Sequence, residues 1–296
     1  MADLDFTSLN EVSLPPHCGT MQVLEYFLCG KCSPLQNEDD IFVNEHFAAV
    51  VDGATSKSPY RSVDGKTSGK LATTLVKQTI ENLKPDVTLS EALESLRQSI
   101  YQFYVAHNLL SQVKAQPAQR FTASAVIYSV ARQEIWQIGD CQCLINGVLH
   151  QNNKLIDELM AAARAAFLEV ALSLGEVTLD SLQQHDVGRD FILPFLQRQA
   201  ILQNHPDPKQ ALAFAVLDGF KVDVAKVKVW PVPKDAIIVL ASDGYPQLKE
   251  SLQASEASLE HLLKSDPLCM HEYKSTKGLK VGQKSFDDRA YLKLQV

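Results

Sequence analysis

Phe47-Ala48-Ala49-Val50-Val51-Asp52-Gly53 opens as an unbroken apolar run and stops at an Asp-Gly pair. Five apolar residues without polar alternation describe a strand buried on both faces. Just upstream, Ile41 to Val43 forms a second strand across a turn at Asn44-Glu45, so the two predict an antiparallel hairpin. Further upstream, Met21 to Leu28 reads as a first strand, followed by a polar loop from Ser33 to Asp40. Downstream, two helices are expected. Leu71, Leu75, Val76, Ile80 and Leu83 recur at helical spacing, and Thr88 with Glu91 makes a capping box ahead of the stripe Leu93, Leu96, Ile100, Phe103, Tyr104. A second β region follows, with a hairpin of Ser124 to Val130 and Glu134 to Ile138. Cys143 to Leu149 extends it, turning at Asn146-Gly147. From Asn153 to about Asn204 the pattern is helical, with no strand signal, and reads as an insertion or lid over the sheet. Strand signals return at Leu212 to Leu217, at Val222 to Val232 and, after a turn at Pro233-Lys234-Asp235, at Ala236 to Ala241. A helix over Ala257 to Lys264 and a strand from Arg289 to Val296 complete the order. Hairpins with helices outside them predict one α+β domain over residues 1–296, built of layered antiparallel sheets rather than a parallel one.

The composition sets outer limits. The chain has 296 residues, of which 46% are hydrophobic, enough to bury a sizeable core. A formal net charge of −7 argues against a nucleic-acid partner and suits divalent cations gathered in a cleft. The six cysteines (Cys18, Cys29, Cys32, Cys141, Cys143 and Cys269) are too sparse in a chain this long for a disulfide scaffold. The opening residues show no basic region followed by an apolar run, and no apolar stretch reaches membrane-spanning length. A cytoplasmic protein with reduced thiols and no membrane partner is the expectation.

Four places repeat the design of the opening stretch. Val51 runs into Asp52-Gly53, Ile138 into Gly139-Asp140, and Ser242 into Asp243-Gly244; near the end the order reverses, with Asp287-Asp288 preceding the last strand. One Asp-Gly after a strand is ordinarily a turn, because Asp tolerates the geometry and Gly supplies positive φ. Four such carboxylates held on buried strands would repel one another unless cations lay between them. Hard oxygen ligands suit Mg²⁺ or Mn²⁺ rather than zinc. Two such ions can activate water and orient a phosphoryl group.

Asn37-Glu38-Asp39, Val51-Asp52-Gly53, Gly139-Asp140-Cys141, Ala241-Ser242-Asp243-Gly244 and Asp287-Asp288 occur in the order and rough spacing of the PPM family, the metal-dependent type 2C serine/threonine protein phosphatases. The resemblance spans about Gly30 to Val296. It implies a four-layer αββα sandwich and hydrolysis of phosphoserine or phosphothreonine on proteins. Attack on phosphorus would be direct, by a hydroxide bridging two Mn²⁺ or Mg²⁺ ions. Carried over residue by residue, Asp52 matches the aspartate that bridges both metals, with Gly53 offering its carbonyl. Asp243 and Asp287 match those that complete the first metal. Glu38 and Asp39 match the acidic pair that holds metal-bound waters, and Asp140 matches the aspartate that in many members helps bind a third, weaker ion. Two registers stay open, Asp39 or Asp40 and Asp287 or Asp288, with spacing to the following strand favouring Asp39 and Asp287.

The chain also departs from the family. The Arg that many members carry just before Asn-Glu-Asp, to grip the substrate phosphate, is replaced by Cys32-Ser33-Pro34-Leu35-Gln36; Lys31, Lys57 or Arg61 are the available substitutes. Ala54-Thr55 stands where many members have a His, and Gly139-Asp140-Cys141-Gln142 replaces Gly-Asp-Ser-Arg. These departures leave two other readings: an interaction module working through residues 153–204, or a phosphatase of a small phosphorylated metabolite. Cys29-Gly30-Lys31-Cys32 is followed by a loop rather than a helix and reads as incidental thiols. Gly65-Lys66-Thr67-Ser68-Gly69 lacks the full phosphate-loop pattern and reads as a helix N-cap.

Overall fold

The structure, a computed structural model, describes residues 12–55, 58–207 and 209–296. Two antiparallel sheets lie at its centre. One has six strands in the order β1 (His17–Cys18), β2 (Met21–Cys29), β11 (Arg289–Gln295), β10 (Ile237–Ala241), β7 (Gln142–Ile145) and β8 (Val148–His150). The other has five, β3 (Asp40–Val43), β4 (Phe47–Gly53), β5 (Ala123–Ser129), β6 (Glu134–Ile138) and β9 (Lys228–Pro231).

Strand β4 shows why the stretch is apolar throughout. Residues 47–51 are completely buried, and successive side chains point to opposite faces. Phe47, Ala49 and Val51 join a core with α1 (Ser68–Glu81) and α2 (Leu89–Ala106), whereas Ala48 and Val50 join the core between the two sheets. The hairpin pairs Val43 with Ala48 and Asp40 with Val51. On the far side, the six-stranded sheet is covered through Leu252, at the start of α7 (Leu252–Ser265), and by Tyr245 and Leu248, which pack on Phe27 and Tyr291. Helices, two sheets and helices therefore stack as an αββα sandwich. A short helix, α3 (Leu110–Ala115), follows α2.

The local signals behave as expected where they are self-contained. Thr88 and Glu91 cap α2 reciprocally, and Asn146 and Gly147 both take positive φ between β7 and β8. Three segments differ. Residues 212–217 are not a strand: they make only isolated bridges, Gln203 with Phe214 and Ala123 with Leu217. Strand β5 already has β4 and β6 as neighbours, so no sheet edge is open there, and Ala215 and Leu217 are apolar because they sit in the helix-side core. In 222–232 only β9 pairs, preceded by one 3₁₀ turn at Val224–Lys226, and the turn after it carries the chain from one sheet to the other. Helix α7 starts earlier than its periodicity suggests, where Ser251 caps it.

The helical segment is α4 (Leu155–Ser173), α5 (Leu179–Gln184) and α6 (Val187–Arg198). Arg164 of α4, fully buried, donates to Asp186 and to the carbonyls of Leu268, Cys269 and Ser275, while Arg189 of α6 donates to Thr276 O at 2.8 Å. The segment is thereby clasped to residues 268–276 and forms a wall. Among the described residues no helix is long and apolar enough to cross a membrane.

Candidate metal centre

Four separate strand termini deliver carboxylates to one place. Asp52 stands near the end of β4, where Gly53 allows the strand to pass close to its neighbours: a Cβ there would lie 2.6 Å from Glu38 O and 2.7 Å from Gly69 O. Asp140 follows β6 through Gly139, whose φ of +83° turns the chain so that Asp140 Oδ1 accepts from the Ser124 hydroxyl at 2.6 Å. Asp243 follows β10, and the preceding Ser242 is tied to Ala290 of β11 by two hydrogen bonds. Carboxylate oxygens of Asp52, Asp140 and Asp243 all lie within 4.8 Å of one another. Asp287 joins them on the lining of a cavity of about 420 Å³.

The two open registers separate here. Asp39 is 2% exposed; its Oδ2 is buried with no hydrogen-bond partner, and it feels the charges of Asp243, Asp287 and Asp288. Asp40 instead pairs with Lys70 and Lys77 of α1. Asp288 turns inward and accepts from the backbone of Lys31 at 2.7 Å and of Glu38 at 3.2 Å, a structural tie, whereas Asp287 faces the cavity. Glu38 is buried, with its carboxylate on the Thr67 hydroxyl that caps α1.

Electrostatics divides the carboxylates in two. Burial, reinforced by neighbouring aspartates, raises the pKa of Asp39, Asp52 and Asp243 well above the usual range. Burial also raises Glu38, against the pull of its Thr67 hydrogen bond. For Asp140 burial works the same way but is outweighed by Lys154 and the Ser124 hydroxyl, so its pKa falls. Asp287 is brought down to about 2, because Lys277 and Lys31 outweigh its burial. Crowded, buried carboxylates with an orphaned oxygen at Asp39 are what a site for hard divalent cations requires, and Asp39, Asp52, Asp140, Asp243 and Asp287 fit Mn²⁺ or Mg²⁺ by donor type.

The cations were harder to foresee. Lys31 reaches Asp287 and Asp288 at 3.3 and 3.0 Å but does not line the cavity. Arg61 is exposed and donates to the carbonyls of Ser58 and Tyr60, so the structure does not bring it into the site; Lys57 lies outside the described residues. Lys154, Arg189, Lys274 and Lys277 line the cavity instead. Lys154 Nζ sits 2.7 Å from Asp140, and Lys277 pairs with Asp287. One sequence signal existed: Lys154 occupies the N-cap of α4, where a side-chain acceptor is favoured and a cation opposes the helix dipole. The thiols take no part: all six cysteines are free, and burial, with Asp52 and Asp140 nearby, pushes Cys141 well above the usual thiol range.

No family model and no curated protein matches the sequence. Among solved structures, the chain resembles the serine/threonine phosphatase PstP/Ppp of Mycobacterium tuberculosis at 15% identity and a TM-score of 0.46, covering 93% of this chain and 98% of that one. It is also similar to the serine/threonine phosphatase Stp1 of Staphylococcus aureus at 13% identity and a TM-score of 0.45, over 96% and 99% of the two chains. The PPM Ser-Thr phosphatase MsPP of Mycobacterium smegmatis, in complex with cacodylate, matches at 15% identity and a TM-score of 0.43, over 93% and 99%. The sheet order and the carboxylates described above stand without those likenesses.

Proposed function

We propose that the chain is a metal-dependent phosphatase of the PPM type, acting on phosphomonoesters and, by the resemblance of its motifs, on phosphoserine or phosphothreonine in proteins. The observation that carries this reading is the convergence of Asp52, Asp140, Asp243 and Asp287 on the lining of one cavity, with Asp39 buried within reach of the charges of Asp243 and Asp287 and its Oδ2 unpartnered. Asp52 would bridge two ions, Asp243 and Asp287 would complete one of them, and Asp39 and Glu38 would orient the water around them. The Gly53 carbonyl, at the end of the same strand, would serve beside Asp52. Bound there, two Mn²⁺ or Mg²⁺ ions supply Lewis acidity for water and for the phosphoryl oxygens. The raised pKa values of Asp52 and Asp243 mean that these carboxylates shed protons when cations bind, which couples loading to pH.

Hydrolysis of p-nitrophenyl phosphate with and without Mn²⁺, in the native chain and in Asp52→Asn, tests the reading. Metal-dependent turnover that drops at least about a hundredfold in the variant is expected. Equal turnover in both, or none in the native chain at any Mn²⁺ concentration, overturns it. A second reading, hydrolysis of a small phosphorylated metabolite, is favoured by the wall: Asp157, Glu158, Gln199 and Gln203 of the helical segment line the cavity, whose volume suits a small ligand.

A further inference from the structure

Lys154 and Lys277 are placed unlike surface lysines. Their side chains are 14% and 21% exposed, both line the cavity, and each ammonium rests on a carboxylate of its floor. Lys154 also lies over the ring of Phe214, 5.2 Å from its centroid, and Lys277 is 3.5 Å from the Thr55 hydroxyl on the opposite wall. Neither comes from the strand ends that supply the acids. Lys154 opens α4, and Lys277 ends the segment that Arg164 and Arg189 clasp to the helical wall.

Charge balance indicates what they do. Glu38, Asp39, Asp52, Asp140, Asp243, Asp287 and Asp288 gather here against Lys31, Lys154 and Lys277, while Arg189 and Lys274 on the cavity lining are offset by Asp157 and Glu158. Ionised, these groups leave four negative charges, which two divalent cations neutralise. Without Lys154 and Lys277 the same two cations would leave the centre doubly negative, and a phosphomonoester dianion would be repelled. With them the centre is neutral and presents two ammonium groups to the cavity.

Building on the phosphatase reading, we propose that Lys154 and Lys277 are the phosphoryl-binding cations of this chain, each shared between a floor carboxylate and the phosphoryl oxygens of the ligand. Lys31 shares Asp287 and the Thr55 hydroxyl with Lys277 but is held by Asp288 as well and does not line the cavity, and Arg61 donates to carbonyls of its own loop.

The probe is inorganic phosphate, titrated calorimetrically into the Mn²⁺-loaded full chain. Lys154→Met and Lys277→Met keep the length of the stem and remove the charge. Each is expected to weaken phosphate at least tenfold, while Mn²⁺ binds as tightly as before or more tightly, because a competing cation has left the floor. Lys154→Arg and Lys277→Arg should restore most of the phosphate affinity. Phosphate binding unchanged in both Met variants overturns the inference. So does loss of Mn²⁺ binding together with phosphate, which would make the lysines mere structural counter-charges. A native chain that binds Mn²⁺ but no phosphate overturns it too and leaves the metal centre intact. Phosphate binding that follows the lysines in a chain without turnover upholds the inference and removes the phosphatase reading.

Discussion

Asp287 and Asp288 are adjacent yet do opposite work. Asp288 closes the fold by accepting from the backbones of Lys31 and Glu38, 257 and 250 residues away, and is 3% exposed. Asp288→Ala strands those donors and leaves the Lys31 ammonium with Asp287 alone of its two carboxylates, and should cost about 2–4 kcal/mol, read as a lower urea midpoint. Asp287→Asn should move the midpoint by less than half as much and weaken Mn²⁺ at least about tenfold. If the two variants exchange these phenotypes, the assignment of the cavity-facing residue is wrong. The two classes of carboxylate also predict opposite responses to acid. The stability that Asp287 contributes is complete above its unfolded value of about 3.9 and disappears as the pH falls through about 2. Asp39, Asp52 and Asp243 have raised values, so without metal their contribution is full below about 3.9 and is lost as the pH rises through their folded values.

At the scale of elements, the wall depends on Arg164. Its guanidinium holds Asp186 at the start of α6 and three carbonyls of the facing segment, all out of solvent. Arg164→Met takes the ion-pair partner from the Asp186 carboxylate, which keeps the Arg189 N–H, and leaves several carbonyls without this donor, a loss of about 3–5 kcal/mol. Limited proteolysis should then cut first between residues 266 and 280 while the sheets stay resistant; uniform resistance would show that the clasp is dispensable. This element also marks how far the sequence could be read. The hairpin of β3 and β4 and the capping box of α2 were legible because their partners lie within a few residues of one another. So were the strand-end aspartates Asp52, Asp140 and Asp243, since each carries its Gly and its apolar run. Arg164 and Lys277 find partners up to 222 residues away, and nothing in their neighbours encodes that meeting. Residues 212–217 misled for a related reason: burial under a helix and burial in a sheet produce the same apolar letters.

For the whole molecule, cation loading and folding are one equilibrium. Mn²⁺ at about 100 times its dissociation constant should add about 2.7 kcal/mol and raise the melting temperature by several degrees. The rise should grow with pH, because the raised carboxylates must give up their protons to take up cations, and it should shrink in Asp52→Asn. A pH-independent rise would mean that the ions bind elsewhere. One feature of the topology bears on how the chain comes into being. Strand β11 lies inside the six-stranded sheet between β2 and β10, and pairs Arg289 with Cys29 and Tyr291 with Ala241. A ribosome that has reached residue 280 therefore holds a nascent chain with a gap in the middle of a sheet and two bare strand edges. Asp287 emerges together with the strand that fills this gap. Synthesis from one end to the other thus delays the carboxylate floor until the interior is sealed, and a stalled or clipped translation product carries neither.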